Sequence, residues 1–335
     1  MRGLRLISVI AFASVLFATP VLAAPACGPL QRITALPITP VGKPGNVVTV
    51  PALVDKRAVK LLVDTGAAFS MINKNIVDEL KLPTRQSRVQ LVNIAGQRTT
   101  QEVRLPSITL GQVRQEGVYF IVDDNPNPIG GNAPPFDGVL GADFLLNVDL
   151  DFDFTGGTLS LFSSQHCKGQ VVYWTNSPQI AVVPMRVDSS GKLTFPLTLD
   201  GHRINAILDT GATRTSLNLD VAKRTFDIDV NAPDVQKTGE VQGGFTANLY
   251  QRRFKTLSIE GVTVTDPMVW LLPNMMRLTS EQRPTGSLVR DTDKQLPDAI
   301  LGMSVLSKLH VYVATREATI YITAANPGQP VQGAE

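Results

Sequence analysis

Two aspartates end matched apolar runs: Leu61-Leu62-Val63-Asp64-Thr65-Gly66-Ala67 and Ala206-Ile207-Leu208-Asp209-Thr210-Gly211-Ala212. A carboxylate delivered at the end of a buried strand is costly unless it is hydrogen-bonded or has a chemical task. Asp-Thr-Gly is also good turn chemistry, because Asp bonds the backbone ahead of it and Gly accepts positive φ. Two copies allow more than two turns. If Asp64 and Asp209 meet across a pseudo-twofold axis they cannot both ionise cheaply, so one holds a proton while the other is charged. That puts an acid and a base in one place, able to activate a water and polarise a carbonyl with no metal, no cofactor and no covalent intermediate.

The surrounding segments repeat as well. Val48-Thr49-Val50-Pro51-Ala52-Leu53-Val54-Asp55 aligns without gaps on Leu193-Thr194-Phe195-Pro196-Leu197-Thr198-Leu199-Asp200, and the same offset of 145 places Asp64 on Asp209. Each copy predicts a hairpin that turns at Asp55-Lys56-Arg57 or Asp200-Gly201-His202, with a return strand ending on the aspartate. Ser70-Met71-Ile72 is set against Ser216-Leu217-Asn218, and short helical patterns come next over 74–82 and 219–226. Alternating segments then flank glycine tips, at Gly96 and Gln97 in the first half and at Gly243 and Gly244 in the second. These hairpins read either as covers over a cleft or as ordinary surface turns.

Buried-strand patterns at 118–122 and 268–272 lead into polar loops over 123–137 and 273–298. Both halves recover register at Gly138-Val139-Leu140-Gly141 and Ala299-Ile300-Leu301-Gly302, each before a short helix, and both close on a terminal hairpin. The run Asp149-Leu150-Asp151-Phe152-Asp153-Phe154 has the spacing of a metal site. Period-two alternation accounts for it more simply, with Leu150, Phe152 and Phe154 inward and the acids on a solvated face.

At 335 residues and 43% hydrophobic content, the chain can furnish two domains with a core each. Its formal charge of +2 includes Arg2 and Arg5, and without them 29 basic residues face 29 acidic ones. That balance argues against a nucleic-acid partner. Residues 1–23 read as a secretory signal, with Arg2 and Arg5, an apolar stretch over 6–17 and Val21-Leu22-Ala23 as the cleavage site. As an uncleaved anchor the stretch is short and Pro20 interrupts its continuation, and no other stretch could cross a bilayer. Export permits a disulfide between the only two cysteines, Cys27 and Cys167, which would tie the N-terminal segment to the junction between the halves. The alternative is two free thiols. His166, His202 and His310 lack metal-ligand spacing, so no metal site is expected.

Asp-Thr-Gly-Ala behind an apolar strand, a glycine-tipped hairpin after it, and an apolar-apolar-Gly before a short helix together resemble the aspartic peptidases. The resemblance covers nearly all of 47–323 and carries both motifs, in order, in both halves. It implies an all-β fold with a few short helices, built as a single-chain tandem of two retroviral-type lobes in a pepsin-like bilobed arrangement, in an exported form of bacterial type. Asp64 and Asp209 would be the catalytic pair, Thr65 and Thr210 would interlock across the axis, and Gly66 and Gly211 would bring backbone N–H groups to the carboxylates. Gly141 and Gly302 would support the catalytic loops from behind. Pepsin-like enzymes usually carry Ser or Thr where Ala67 and Ala212 stand, and losing that donor should raise the pair's ionisation constants. The expected optimum is therefore weakly acidic.

The implied layout is a signal at 1–23, an N-terminal extended segment at 24–46, a first lobe at 47–165 and an inter-lobe linker at 166–191 with extended stretches at 171–174 and 180–187. A second lobe at 192–325 and a flexible tail at 326–335 complete it. The expected activity is that of a monomeric, periplasmic or secreted endopeptidase acting on polypeptide. The alternative is a peptide-binding module that keeps the fold without turnover. A glycosidase also pairs carboxylates, but it needs them about 5 Å or more apart.

Overall fold

The computed structural model describes residues 27–42, 46–92, 98–124, 136–188, 191–242, 246–273, 297–325 and 331–332. The predicted signal at 1–23, the hairpin tips at Gly96, Gln97, Gly243 and Gly244, and most of the two polar loops lie outside the described residues.

The chain is mainly β, with two curled sheets of the same design. In the first half the strand order is Thr84–Val92, Arg98–Arg104, Tyr119–Asp123, Met71–Asn73, Gly138–Leu140, Arg57–Val63, Val48–Val54, Ser107–Leu110, Val113–Glu116. The second half repeats it as Val235–Gln242, Thr246–Arg253, Met268–Leu272, Ser216–Asn218, Ala299–Leu301, His202–Leu208, Leu193–Leu199, Thr256–Ile259, Val262–Thr265. Within the tail, Val331–Gln332 adds a short parallel pairing to Val262–Thr265, so this part is not loose chain.

Local chemistry explains why each half begins as it does. Asp55 and Asp200 take positive φ at the hairpin turns, a conformation that Asp tolerates better than most side chains. Asp200 Oδ1 also accepts the N–H groups of Lys255 and Thr256, fixing the turn to the next strand. A proline in the middle of a strand removes a ladder donor. Pro51 is tolerated because Val48–Val54 pairs on its second side only at residues 48–49 and 53–54, leaving a gap around it. Pro196 sits in the same gap, between pairings at 193–194 and 198–199.

A third sheet joins the halves. Its order is Arg32–Pro37, Thr158–Phe162, Asp149–Asp153, Leu309–Ala314, Thr319–Ala324, Ala181–Pro184. The two terminal hairpins meet at its centre, where Leu150 faces Val313 and Phe152 faces Val311 in a fully buried apolar layer. The opposite face corrects the sequence reading. Asp149 and Asp151 are 0% and 2% exposed, not solvated. Linker residues 171–174, expected to be extended, form no strand and instead lie over this face, with Trp174 stacked on His310 at 4.3 Å.

Burying two carboxylates requires partners. Asp149 accepts from Thr315 N and Oγ1 at 2.9 and 2.7 Å, from Tyr312 OH at 3.3 Å and from His166 Nε2 at 2.5 Å. Asp151 accepts from His310 Nε2 at 2.6 Å and from Tyr173 OH. These partners come from the linker and the far C-terminal hairpin, so strand alternation could not reveal them. A disulfide between Cys27 and Cys167, next to His166, fastens the N-terminal segment to this cluster. Among the described residues no helix is long and apolar enough to cross a membrane.

Candidate active site

Each aspartate of the repeated phrase is delivered by two strands running in parallel. Arg57–Val63 pairs with Gly138–Leu140, and Asp64 N–H donates to Leu140 O at 3.0 Å. His202–Leu208 pairs with Ala299–Leu301, and Asp209 N–H donates to Leu301 O at 3.1 Å. The two strand ends meet between the halves, and the threonines cross there. Thr65 Oγ1 donates to Leu208 O at 2.8 Å and accepts from Thr210 N–H at 3.1 Å. Thr210 Oγ1 donates to Val63 O at 2.7 Å and accepts from Thr65 N–H at 3.1 Å. Both threonines are buried, at 0% and 1% exposure, so these four bonds are shielded from water.

The loops then fold over their own carboxylates. Asp64 Oδ1 accepts from Gly66 N–H at 2.8 Å and Ala67 N–H at 2.9 Å, and Asp209 Oδ1 accepts from Gly211 and Ala212 N–H, both at 2.9 Å. Each glycine also lies against the opposite aspartate. A Cβ on Gly66 would stand 2.4 Å from Asp209 Cγ, and one on Gly211 would stand 2.2 Å from Asp64 Cγ. Only glycine lets the two loops approach so closely, each glycine lying against the carboxyl group of the opposite half.

Gly141 and Gly302 lie directly behind. A Cβ at Gly141 would come 2.6 Å from Phe69 C, and one at Gly302 would come 2.4 Å from Arg214 O. Their amides are held by hydroxyls, Gly141 N–H by Ser70 Oγ at 3.0 Å and Gly302 N–H by Thr215 Oγ1 at 3.1 Å. The structural counterpart of Ser70 is thus Thr215, one residue earlier than the sequence pairing with Ser216. These hydroxyl residues are oriented differently in the two halves. Ser70 N and Oγ donate to Asp143 Oδ1 at 2.8 and 2.6 Å, whereas Thr215 N donates to Ser304 Oγ at 2.9 Å. Sequence reasoning overlooked this layer, although the constant offset places Ser70 on Thr215.

The hairpins expected to carry the cleft covers are present as edge pairs, Thr84–Val92 with Arg98–Arg104 and Val235–Gln242 with Thr246–Arg253. Their tips lie outside the described residues. Among the described residues no group of three or more His, Cys, Asp or Glu is arranged to hold a metal.

The electrostatics arise from this packing. Asp64 and Asp209 keep part of their surface open, yet protein surrounds them on every other side. Burial raises both ionisation constants. Burial first, and then the charge of Asp64, push Asp209 up to about 7, against the pull of the Gly211 and Ala212 amides. Asp64 is also raised by burial, while the Gly66 and Ala67 amides, the bond to Asp209 and the charge of Lys192 draw it back. Both carboxyls are thus harder to ionise than a free aspartate, and a charge on one opposes ionisation of the other.

The sequence matches the aspartyl protease family over residues 50–144 and 195–305, more than half of the chain and once per half. The chain belongs to the aspartyl protease family. Each matched region contains one copy of the duplicated phrase. Solved structures with a similar fold include the aspartic proteinase from Irpex lacteus, at 16% identity over 87% of this chain and 97% of that one, with a TM-score of 0.49. Basic 7S globulin from soybean is similar at 10% identity over 89% of this chain and 96% of that one, with a TM-score of 0.47. No curated protein matches the sequence.

Proposed function

We propose that the protein is an exported aspartic endopeptidase that hydrolyses peptide bonds with a water activated between Asp64 and Asp209. The observation that carries this reading is the crossed pair of threonine bonds, which brings the loops of two carboxyls from different halves against each other. The charged carboxyl takes a proton from the attacking water. The protonated one donates to the carbonyl oxygen, and the proton gained from water later passes to the leaving amine. Both carboxyls come from one chain, so a single copy supplies the whole site. The leader pattern at 1–23 and the Cys27–Cys167 disulfide favour a periplasmic or secreted location.

An unfolded polypeptide incubated with the protein from about pH 3 to pH 8 tests the reading. Cleavage should peak at weakly acidic pH and vanish in both Asp64→Asn and Asp209→Asn. Activity surviving in either variant overturns the shared-pair mechanism. No cleavage by the parent at any pH assigns the chain to the peptide-binding alternative.

A further inference from the structure

We propose that His166 is a pH-responsive clamp between the two halves: its doubly protonated ring ties Asp149 of the first half to Glu317 of the second, and loss of one ring proton loosens the sheet that joins them. The ring belongs to the linker, and its side chain is 1% exposed. Nε2 faces Asp149 Oδ2 at 2.5 Å, while Nδ1 faces Cys167 O at 3.2 Å and Glu317 Oε1 at 3.3 Å. All three partners are acceptors. A neutral imidazole carries a single N–H, so either tautomer would set a bare nitrogen against buried oxygen lone pairs. Only the imidazolium satisfies both sides of the ring. The two carboxyl groups are held as acceptors on their other contacts as well: Asp149 Oδ1 accepts from Thr315 N and Oγ1, and Glu317 accepts from Gly169 N–H at 3.0 Å and from Tyr321 OH at 2.7 Å.

The groups facing His166 come from every element around it. Asp149 lies on Asp149–Asp153, and the Tyr312 ring stands edge-on from Leu309–Ala314 with centroids 6.5 Å apart. Glu317 lies in the turn after that strand, and Tyr321 on Thr319–Ala324 reaches the ring through Glu317. Further along the same face Asp151 bonds His310 and Tyr173. The N-terminal segment, bridged to His166 at Gly28 and fastened by the Cys27–Cys167 disulfide, brings no charged side chain over residues 27–31. Burial opposes the charge on His166, but the bonds to Asp149 and Cys167 O outweigh it and raise its ionisation above the ordinary 6.5.

The clamp sits on the strands that set the spacing of the two aspartate loops. Ala67 O accepts from Ala142 N–H at 2.8 Å, and helix Ala142–Leu145 leads into Asp149–Asp153. Ala212 O accepts from Met303 N–H at 2.8 Å, and helix Met303–Leu306 leads into Leu309–Ala314. These two strands pair with each other across the halves. Loosening that pairing moves the loops of Asp64 and Asp209 relative to one another. The consequence for catalysis rests on the reading of this pair as the active site, and the clamp itself does not.

The test is an NMR titration of the full chain labelled with ¹⁵N-histidine, its signals assigned by replacing each of the three histidines in turn with Gln. Beside it, amide hydrogen exchange over 149–153 and 309–314 is read by mass spectrometry and corrected for its intrinsic dependence on pH. His166 should keep both ring protons above pH 6.5, where a free imidazole has given one up. Exchange in both strands should quicken about tenfold or more as that proton leaves. His166→Gln should exchange at the faster rate at every pH, without the step. If His166→Gln does not fold, Glu317→Gln replaces it, and there the titration and the step should move together to lower pH. A His166 already neutral at pH 6.5, a parent without a step at the His166 titration, or a step that stays in place in Glu317→Gln overturns the proposal. Neither readout needs turnover, so a chain that cleaves nothing still decides the role of His166 separately from the proposed function.

Discussion

Replacing Asp209 with Asn is expected to abolish hydrolysis and, at neutral pH, to stabilise the fold. Burial and the adjacent Asp64 raise Asp209 from an ordinary 3.8 to about 7 in the folded chain. A group raised on folding favours the folded state while it is protonated. That contribution is complete below 3.8 and is lost as pH climbs through about 7. Asn copies the protonated carboxyl in shape, keeps an Oδ1 acceptor for the amides of Gly211 and Ala212, and cannot ionise. A gap of about three units at about 1.4 kcal/mol each sets a ceiling of about 4 kcal/mol at pH 7. The carboxyl keeps some access to water and its titration is tied to that of Asp64, which reduces the expected gain to about 2 kcal/mol. Urea unfolding monitored by circular dichroism at about pH 4, 5.5 and 7 reads the effect. The two proteins should unfold together at the lowest pH and diverge as it rises. A variant less stable than the parent at pH 7, or a difference that does not change with pH, refutes the argument that this acid is held in the folded state against its own ionisation.

Thr65→Val leaves the buried Thr210 amide without its acceptor and the Leu208 carbonyl without its donor, so it should cost about 2–4 kcal/mol in urea unfolding and lower kcat. Gly211→Ala places a methyl 2.2 Å from Asp64 Cγ and must part the loops. A displacement of about 1 Å there should reduce hydrolysis by about 100-fold, read as kcat/KM on one polypeptide substrate. Burial pulls the ionisation of His166 down, but its bonds to Asp149 and to Cys167 O, with the charges of Asp149 and Glu317, outweigh that and raise it. The His166 contribution to stability is thus complete below its ordinary 6.5 and is lost above its raised value. His166→Gln should lower the melting temperature more at about pH 6 than at about pH 9, by the equivalent of about 3–5 kcal/mol at the lower pH.

The residues that meet at the site were legible because each half announces them locally, as an apolar run, an acid, a threonine and a glycine in sequence. Hairpins such as Val48–Val54 with Arg57–Val63 were legible for the same reason, since alternation and turn residues lie within a few positions of one another. Asp149 and Asp151 misled because alternation specifies two faces and not what covers them. Their cover comes from Trp174 and Tyr312, distant in sequence. Asp143 and Ser304 likewise gain their roles from the neighbours they bond, Ser70 and Thr215.

The sheet that joins the halves also sets a timetable. Strands Arg32–Pro37, Asp149–Asp153 and Thr158–Phe162 are synthesised early, while Leu309–Ala314 and Thr319–Ala324, which occupy the middle of the same sheet, come near the end. Until they emerge, Asp149 and Asp151 lack His310, Tyr312 and Thr315, and two carboxylates have no buried place to go. Pairings between residues as far apart as Leu150 and Val313 are slow to form. A partly made chain therefore has neither the complete joining sheet nor the buried setting that Asp149 and Asp151 occupy in the finished fold.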